Sequence, residues 1–242
     1  MYIKTAAIVL HRLPYGDRSS IISLYTAEKG RIDCIVYGTK GPNAGIKRAL
    51  QEPLSLLELE LEILPGRELH RVVESKTHST ITFLAAHPIK SALAFFVAES
   101  LYRIFRETQV DRALYEFVEH SVITLNHAEV GFANFHLVFL LQMTRFLGFY
   151  PNLESDFPVA FFDMVNGVFT SSKPLHSSFL NPEESKLFHK LMRMDYANMH
   201  LFEFSRQERV LILEQILLYY RIHLPEFGSI HSLSVLSELF DA

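Results

Sequence analysis

The segment Leu10–Arg48, LHRLPYGDRSSIISLYTAEKGRIDCIVYGTKGPNAGIKR, decides how the chain begins to fold. Two runs within it, Ser20–Thr26 and Gly30–Gly38, are dense in β-branched and aromatic residues and are bounded by turn residues. This composition is typical of β-strands. Ala27–Lys29 is long enough for a tight connection between them. We therefore predict a β-hairpin that leads into a glycine-rich basic loop.

Basic charge is concentrated in the same segment. Its Lys and Arg residues are Arg12, Arg18, Lys29, Arg31, Lys40, Lys47 and Arg48. The segment contains only three acidic residues against these seven basic ones, whereas the whole chain of 242 residues has a formal net charge of −4. A local basic patch on an acidic protein indicates a local anionic partner, because the bulk charge is too negative to attract nucleic acid or a membrane.

Three further strands are predicted around the hairpin, at Tyr2–Arg12, Leu54–Leu64 and Leu69–Ser75. The middle one alternates leucine with glutamate, which puts an apolar row on one face and charge on the other. Five short strands with one buried face favour a small closed barrel, since closure removes exposed edges. The length matches an oligonucleotide/oligosaccharide-binding (OB) fold, and Ala44–Gln51 suits a short helix between the third and fourth strands.

Beyond residue 80 the apolar spacing becomes helical. Helices are predicted at Pro88–Glu107, Asp111–Asn126, Phe132–Leu147, from Asn181, at Ser205–Leu224 and at Ser232–Phe240. The third is apolar on almost every side, which is typical of a core helix. Residues 150–180 contain three prolines and a predicted hairpin, Val159–Met164 with Val168–Ser171. The fold class is therefore α+β: a five-stranded OB-fold barrel in residues 1–80, then a mostly α-helical domain in residues 81–242 with a small hairpin insertion.

The sequence lacks the motifs of common enzymes. The phosphate-binding loops G-x-G-x-x-G and G-x-x-x-x-G-K-[ST], the metal motif H-E-x-x-H and the nucleophile motif G-x-S-x-G are all missing. The glutamates at 58, 60 and 62 are better explained as a solvated strand face than as an acid/base pair. We expect a non-enzyme; a hydrolase whose active site is assembled from distant residues is the enzyme alternative.

The single cysteine, Cys34, excludes an internal disulfide and a multi-cysteine zinc site. Its apolar strand favours a small buried side chain over a reactive thiol. The twelve histidines are scattered, which favours surface or capping roles over metal ligation. No run approaches 18 uncharged apolar residues and the start of the chain lacks a signal-peptide pattern, so we expect a soluble cytoplasmic protein without membrane contact.

Two stretches resemble signatures of the RecO family of bacterial recombination mediators. Tyr15–Ile32 has the glycine and acid before the second strand, the T-x-x-x-G turn and a third strand leading into a KG-type loop. Phe146–Leu153, FLGFYPNL, is similar to that family's L-G-x-x-P-x-L signature. The resemblance implies a role in the RecF pathway: binding of single- and double-stranded DNA, annealing, association with RecR, contact with the C-terminal tail of single-stranded-DNA-binding protein, help in loading RecA, and a nucleoid-associated location.

One departure from the family concerns zinc. Many members carry a four-cysteine zinc site after the second signature, whereas residues 152–180 here contain no cysteine. We predict a metal-free hairpin held by phenylalanines, and no other cofactor.

These considerations nominate two sets of site residues. Those expected to contact DNA are Lys29, Arg31, Tyr37, Lys40, Lys47 and Arg48, the cations through phosphates and the tyrosine, or Tyr25, by stacking on a base. Those expected to contact a protein partner are Phe139, Met143, Arg145 and Phe149. Ordinary core burial is the alternative for the aromatic and apolar members. The alternative for the whole protein is an OB-fold interaction adaptor without direct DNA affinity.

Overall fold

The structure, a computed structural model of the chain, describes residues 1–16, 19–37, 49–50, 52–77, 87–106, 110–153 and 160–239, the last range without the side chains of 237–239. The chain packs as two compact units, the first formed by residues 1–127 with 230–242 and the second by residues 128–229. The predicted domain boundary after residue 80 and most of the predicted helix at 44–51 lie outside the described residues.

Five strands of the first unit close into a barrel. They are β1 (Tyr2–Tyr15), β2 (Ser19–Thr26), β3 (Gly30–Tyr37), β4 (Leu56–Glu62) and β5 (Leu69–Thr77). Their order around the barrel is β1-β2-β3-β5-β4, with β4 pairing back onto β1. The β3–β5 pair is parallel and the other four are antiparallel. This topology confirms the predicted OB-type barrel.

The barrel interior is filled by one side-chain face of each strand. Buried apolar residues of its core include Val9, Ile22, Leu24, Leu59 and Leu61. Between the leucines of β4, the glutamates point outward, as the alternation predicts. Cys34 is fully buried in this core, and burial followed by the nearby Asp33 charge raises the pKa of its thiol to about 12. The prediction of a buried cysteine is confirmed.

The described residues form six α-helices in addition to the strands. They are α1 (Pro88–Ile104), α2 (Arg112–His127), α3 (Phe135–Phe146), α4 (Pro182–Met192), α5 (Arg206–His223) and α6 (Ser232–Leu239). Three predicted caps are confirmed: Asp111 Oδ1 accepts a hydrogen bond from the Leu114 N–H, and Asn181 and Ser205 each form a full capping box. The helix predicted from Phe132 begins later, because Phe132–Asn134 forms a 3-10 turn before α3. None of the described helices is long and apolar enough to cross a bilayer.

In the second unit α3 is the core helix, as predicted, with nine of its twelve residues buried. The predicted hairpin is β6 (Phe161–Asp163) with β7 (Val168–Thr170), and a third strand, β8 (Phe179–Leu180), pairs with β6. Two residues are too few for an alternating pattern, so the sequence gives no signal for β8.

An arginine and a tyrosine join the barrel to the C-terminal end of α1. The guanidinium of Arg31 donates hydrogen bonds to the carbonyls of Phe105 (2.6 Å) and Tyr102 (3.3 Å), just at and beyond the end of α1. It also lies 4.4 Å from the centre of the Tyr102 ring. Tyr25, opposite Arg31 across β2 and β3, stacks on Phe105 at 4.2 Å. A cation at a helix C-terminus is favourable, so Arg31 stabilises this junction.

A carboxylate on α1 fixes the start of α6. Glu99 accepts hydrogen bonds from the His231 N–H (2.9 Å), the Ser232 N–H (2.8 Å) and the Ser232 hydroxyl (2.7 Å). Burial raises the pKa of Glu99, but these hydrogen bonds outweigh burial, and the pKa lies below its ordinary value. The ionised form of Glu99 therefore stabilises the docking of α6.

Replacing Arg31 is expected to weaken the fold. Arg31→Ala removes two charge-assisted hydrogen bonds and should lower the free energy of unfolding by about 2 kcal/mol. Lys29→Ala, two residues away at an exposed turn, is the matched control and should change it by less than about 0.5 kcal/mol. Urea denaturation of both variants checks this. Equal stability of the two variants would contradict a structural role for Arg31.

The docking of α6 is expected to depend on pH. A carboxyl whose pKa is lowered by folding stabilises the fold above its unfolded pKa, and that contribution is lost as the pH falls through the folded value. Glu99→Gln should therefore speed amide hydrogen exchange in residues 230–239 at neutral pH, with less effect below about pH 4. Glu116→Gln, which removes an exposed glutamate paired with Arg112, is the control. Exchange that is equally fast in both variants at pH 7 would refute the assignment.

Candidate nucleic-acid interface

The register of β1, β2 and β3 sets which side chains share the outer face of the barrel. Tyr15 pairs with Ser19, and Ser19 with Tyr37. A second row lies two residues further along each strand and therefore on the same face. In it, Leu13 pairs with Ile21, and Ile21 pairs with Ile35. We call the two rows together the strand platform, which comprises Leu13, Tyr15, Ser19, Ile21, Ile35 and Tyr37.

The strand platform exposes aromatic and apolar side chains to solvent. Tyr15 is 52% exposed, Tyr37 is 61% exposed and Leu13 is 52% exposed. The two tyrosines flank Ser19 in one row, so their Cα atoms lie about 10 Å apart, twice the spacing of neighbouring strands. Exposed aromatic rings on a sheet can stack on nucleobases of any sequence. Tyr15 was not among the predicted site residues; only the strand register shows that it shares a row with Tyr37.

The opposite end of the same outer face is covered. Tyr25 is buried against Phe105 and Tyr115, so the alternative of core burial holds for it. Arg31 is held by carbonyl groups as described above. Lys29 is exposed in the turn between β2 and β3, and β3 separates it from Tyr37 by roughly 25 Å. The predicted DNA-contacting residues that the structure describes therefore do not form one patch.

The turn that holds Lys29 also lies beside acidic groups. A cleft of about 440 Å³ on this side of the barrel is lined by Glu28, Glu58 and Glu60, among others. Cations line it too, including Lys4 and Arg112. This mixed charge makes the Lys29 end a weaker phosphate site than a purely basic surface.

Lys40, Lys47 and Arg48 lie outside the described residues. The basic segment 38–48 that carries them follows Tyr37 directly in the chain and ends just before Ala49. It is therefore joined covalently to the strand platform.

A further cation, Arg71, extends the second row of the platform, the row of Leu13, Ile21 and Ile35. It pairs with Ile35 across the parallel β3–β5 contact, and its guanidinium lies 3.5 Å from the carboxylate of Glu62. Sequence reasoning missed Arg71, because no local pattern shows that β5 runs beside β3 rather than beside β4 alone.

The residues proposed for a protein partner separate into two groups. Phe139 and Met143 are 0% exposed in the core of the second unit, which is the burial alternative. Arg145 is exposed, and its guanidinium lies 4.0 Å from the centre of the Tyr150 ring. Phe149 is partly exposed and stacks on His223 at 4.8 Å. Of the four, only Arg145 and Phe149 present surface.

The small hairpin is held by hydrogen bonds and aromatic packing. Asp163 accepts from the N–H groups of Val165 (2.9 Å) and Asn166 (3.0 Å), and His176 Nε2 lies 3.2 Å away. Burial raises the pKa of Asp163, but the hydrogen bonds, chiefly from Asn166, bring it below the ordinary value. Phe162 packs on Phe169 at 4.8 Å. Within the described ranges, no three His, Cys, Asp or Glu side chains are grouped to hold a metal ion.

Comparison with known proteins covers nearly the whole chain. Residues 1–81 match the family profile described as Recombination protein O N terminal, and residues 86–232 match Recombination protein O C terminal. The DNA repair protein RecO of Bacteroides fragilis is 46% identical over 242 residues, all of both chains. That of Phocaeicola vulgatus is 45% identical over 240 residues, 99% of this chain and all of the relative. That of Porphyromonas gingivalis is 36% identical over 245 residues, all of both. The chain belongs to the RecO family.

Proposed function

We propose that the protein is a DNA-binding recombination mediator of the RecF pathway. In this role it binds single- and double-stranded DNA, anneals complementary single strands and assists RecA loading during DNA repair. The relatives named above are DNA repair proteins, and the resemblance of the two signatures supports the same role. The observation that carries the proposal is the exposed tyrosine row of the strand platform, which the basic segment 38–48 follows directly in the chain.

The platform and the basic segment divide the work of binding. Lys40, Lys47 and Arg48 neutralise phosphates, and each cation so engaged releases counterions. Tyr37 and Tyr15 stack on bases, a contact worth about 1 to 3 kcal/mol per base. Neither contact reads sequence, which suits annealing because the base edges must stay free to pair with a second strand. Arg31 serves the junction with α1, and Lys29 lies too far away to join this site.

Protein partners are assigned to the second unit. We place the C-terminal tail of single-stranded-DNA-binding protein, an acidic and apolar segment, at Arg145 and Phe149, because Arg145 offers an exposed cation over the Tyr150 ring and Phe149 offers a partly exposed aromatic surface. Association with RecR, an indirect effect on RecA, and action at the nucleoid in the cytoplasm complete the proposed role.

A second candidate function is an interaction adaptor without DNA affinity. The second row of the strand platform favours the adaptor function, because Leu13, Ile21 and Ile35 are aliphatic and would equally suit a protein partner. The two candidates differ in one measurable property, the salt dependence of nucleic-acid binding.

Charge reversal in the basic segment is expected to weaken DNA binding. For wild-type protein with a labelled single-stranded oligonucleotide, fluorescence anisotropy should give an affinity that falls steeply with salt. In Lys40→Glu/Lys47→Glu/Arg48→Glu the slope of log affinity against log salt should flatten by about three phosphate contacts. Lys186→Glu/Arg193→Glu, two exposed cations of the second unit, is the control. Folded wild-type protein that does not bind at low salt would favour the adaptor.

The partner assignment predicts an effect of Arg145. Arg145→Glu should weaken binding of a synthetic peptide with the acidic tail sequence by about tenfold or more, since it replaces an attraction by a repulsion. Lys186→Glu, an exposed cation on α4, should have little effect. Isothermal titration calorimetry with both variants measures the difference. Equal affinities would place the tail elsewhere.

A further inference from the structure

The β3–β5 contact is the shortest strand pairing of the closed barrel. β3 and β5 pair at three positions, of which the last joins Ile35 to Arg71. Beyond it β3 continues to Tyr37 beside β2, and β5 continues to Thr77 beside β4. The two strands therefore diverge, and a groove of about 530 Å³ lies between them. We call it the β3–β5 groove; one wall is Ile35–Tyr37, the other runs from Arg71 to Lys76, and Leu50 also lines it.

The rims of the groove are aromatic and apolar. Tyr37 stands on one wall, and Val73, which is 55% exposed, stands on the other. A bulge places Val73 between the paired residues Val72 and Glu74, so it has no cross-strand partner among the pairs described. Bulges re-aim side chains and are frequent at functional sites. Two exposed surfaces facing a groove of this size suit a flat, partly apolar ligand.

Cations stand at both ends of the β5 wall. Arg71 lies 3.5 Å from Glu62, and Lys76 lies 3.6 Å from Glu74. The side chains of Arg71 and Lys76 are 53% and 69% exposed, and such surface ion pairs contribute little to stability. A phosphate can therefore displace a glutamate from either cation. In the sequence, the basic segment 38–48 lies between the groove residues Tyr37 and Leu50.

We propose that the β3–β5 groove holds one nucleotide of a single-stranded nucleic acid, with its base between Tyr37 and Val73, one flanking phosphate at Arg71 and a phosphate further along the strand at Lys76. This inference rests on the proposed function and adds a site that distinguishes single-stranded DNA from duplex DNA. A base in the groove is unpaired, and a base inside a duplex stays in its stack. Pairing with a complementary strand therefore withdraws the base and releases this contact, so the grip on DNA weakens once annealing is complete.

The chain contains no tryptophan, which allows a direct test. Val73→Trp places a single fluorophore on the groove at a solvent-exposed position. Its emission should be quenched when oligo-deoxythymidine binds, and should change much less with a blunt duplex of equal length. Val110→Trp, at an exposed position just before α2, is the control and should respond to neither. Anisotropy of the labelled DNA, recorded in the same titration, reports total binding independently.

A second variant distinguishes binding in the groove from a general effect of positive charge on DNA affinity. Arg71→Ala should lower the affinity for single strands about fivefold and leave that for duplex almost unchanged, whereas Arg67→Ala, at an exposed turn, should change neither. Anisotropy that rises without quenching at position 73, or an Arg71→Ala loss equal for both DNA forms, overturns the groove site and leaves the proposed function standing. An absence of any anisotropy change overturns both.

Discussion

The alternation of side chains along closed strands is the constraint on which the first unit depends. A closed barrel has no edge, so each strand has only an inner and an outer face. Apolar residues such as Val9, Leu24 and Leu59 fill the inside, and every functional group must then stand outside or at an end. Among the residues that the structure describes, the outer face therefore offers a large surface of the barrel for a binding site.

The outer face is divided along the strands. Near the turn between β2 and β3 it is occupied by α1 and by the residues just after it, which Tyr25 and Arg31 hold in place. Near the other end of β3 it stays open, with Tyr15 and Tyr37 exposed. The same residue types thus have opposite roles: Tyr25 is structural and Tyr37 faces solvent, although they belong to one hairpin and to the same face. Position along the strand, and not residue type, decides between them.

This difference explains what the sequence could and could not predict. Local sequence patterns predicted the strands, the core helix, the burial of Cys34 and the helix caps at Asp111, Asn181 and Ser205. Each of these features depends on neighbours within a few residues. The role of Arg31 depends on carbonyl groups more than seventy residues away, and the place of Arg71 depends on a parallel pairing between strands that do not follow one another. In the sequence both arginines are visible only as positive charges, without their contacts. The predicted site therefore included Arg31 and missed Arg71.

The acidic residues beside the cations also have a physical consequence for the proposed role. Glu62 and Glu74 lie next to Arg71 and Lys76, and the whole chain is negative, so the positive field available to attract an anion is local and weak. A mediator that gripped a single strand through many unopposed cations would also retain the duplex, because phosphates are common to both forms. Stacking and base insertion are lost when a base pairs, together with the groove contacts that depend on an inserted base, whereas phosphate contacts outside the groove are not lost. A site that combines few net charges with exposed tyrosines therefore favours the unpaired strand and allows release of the annealed product.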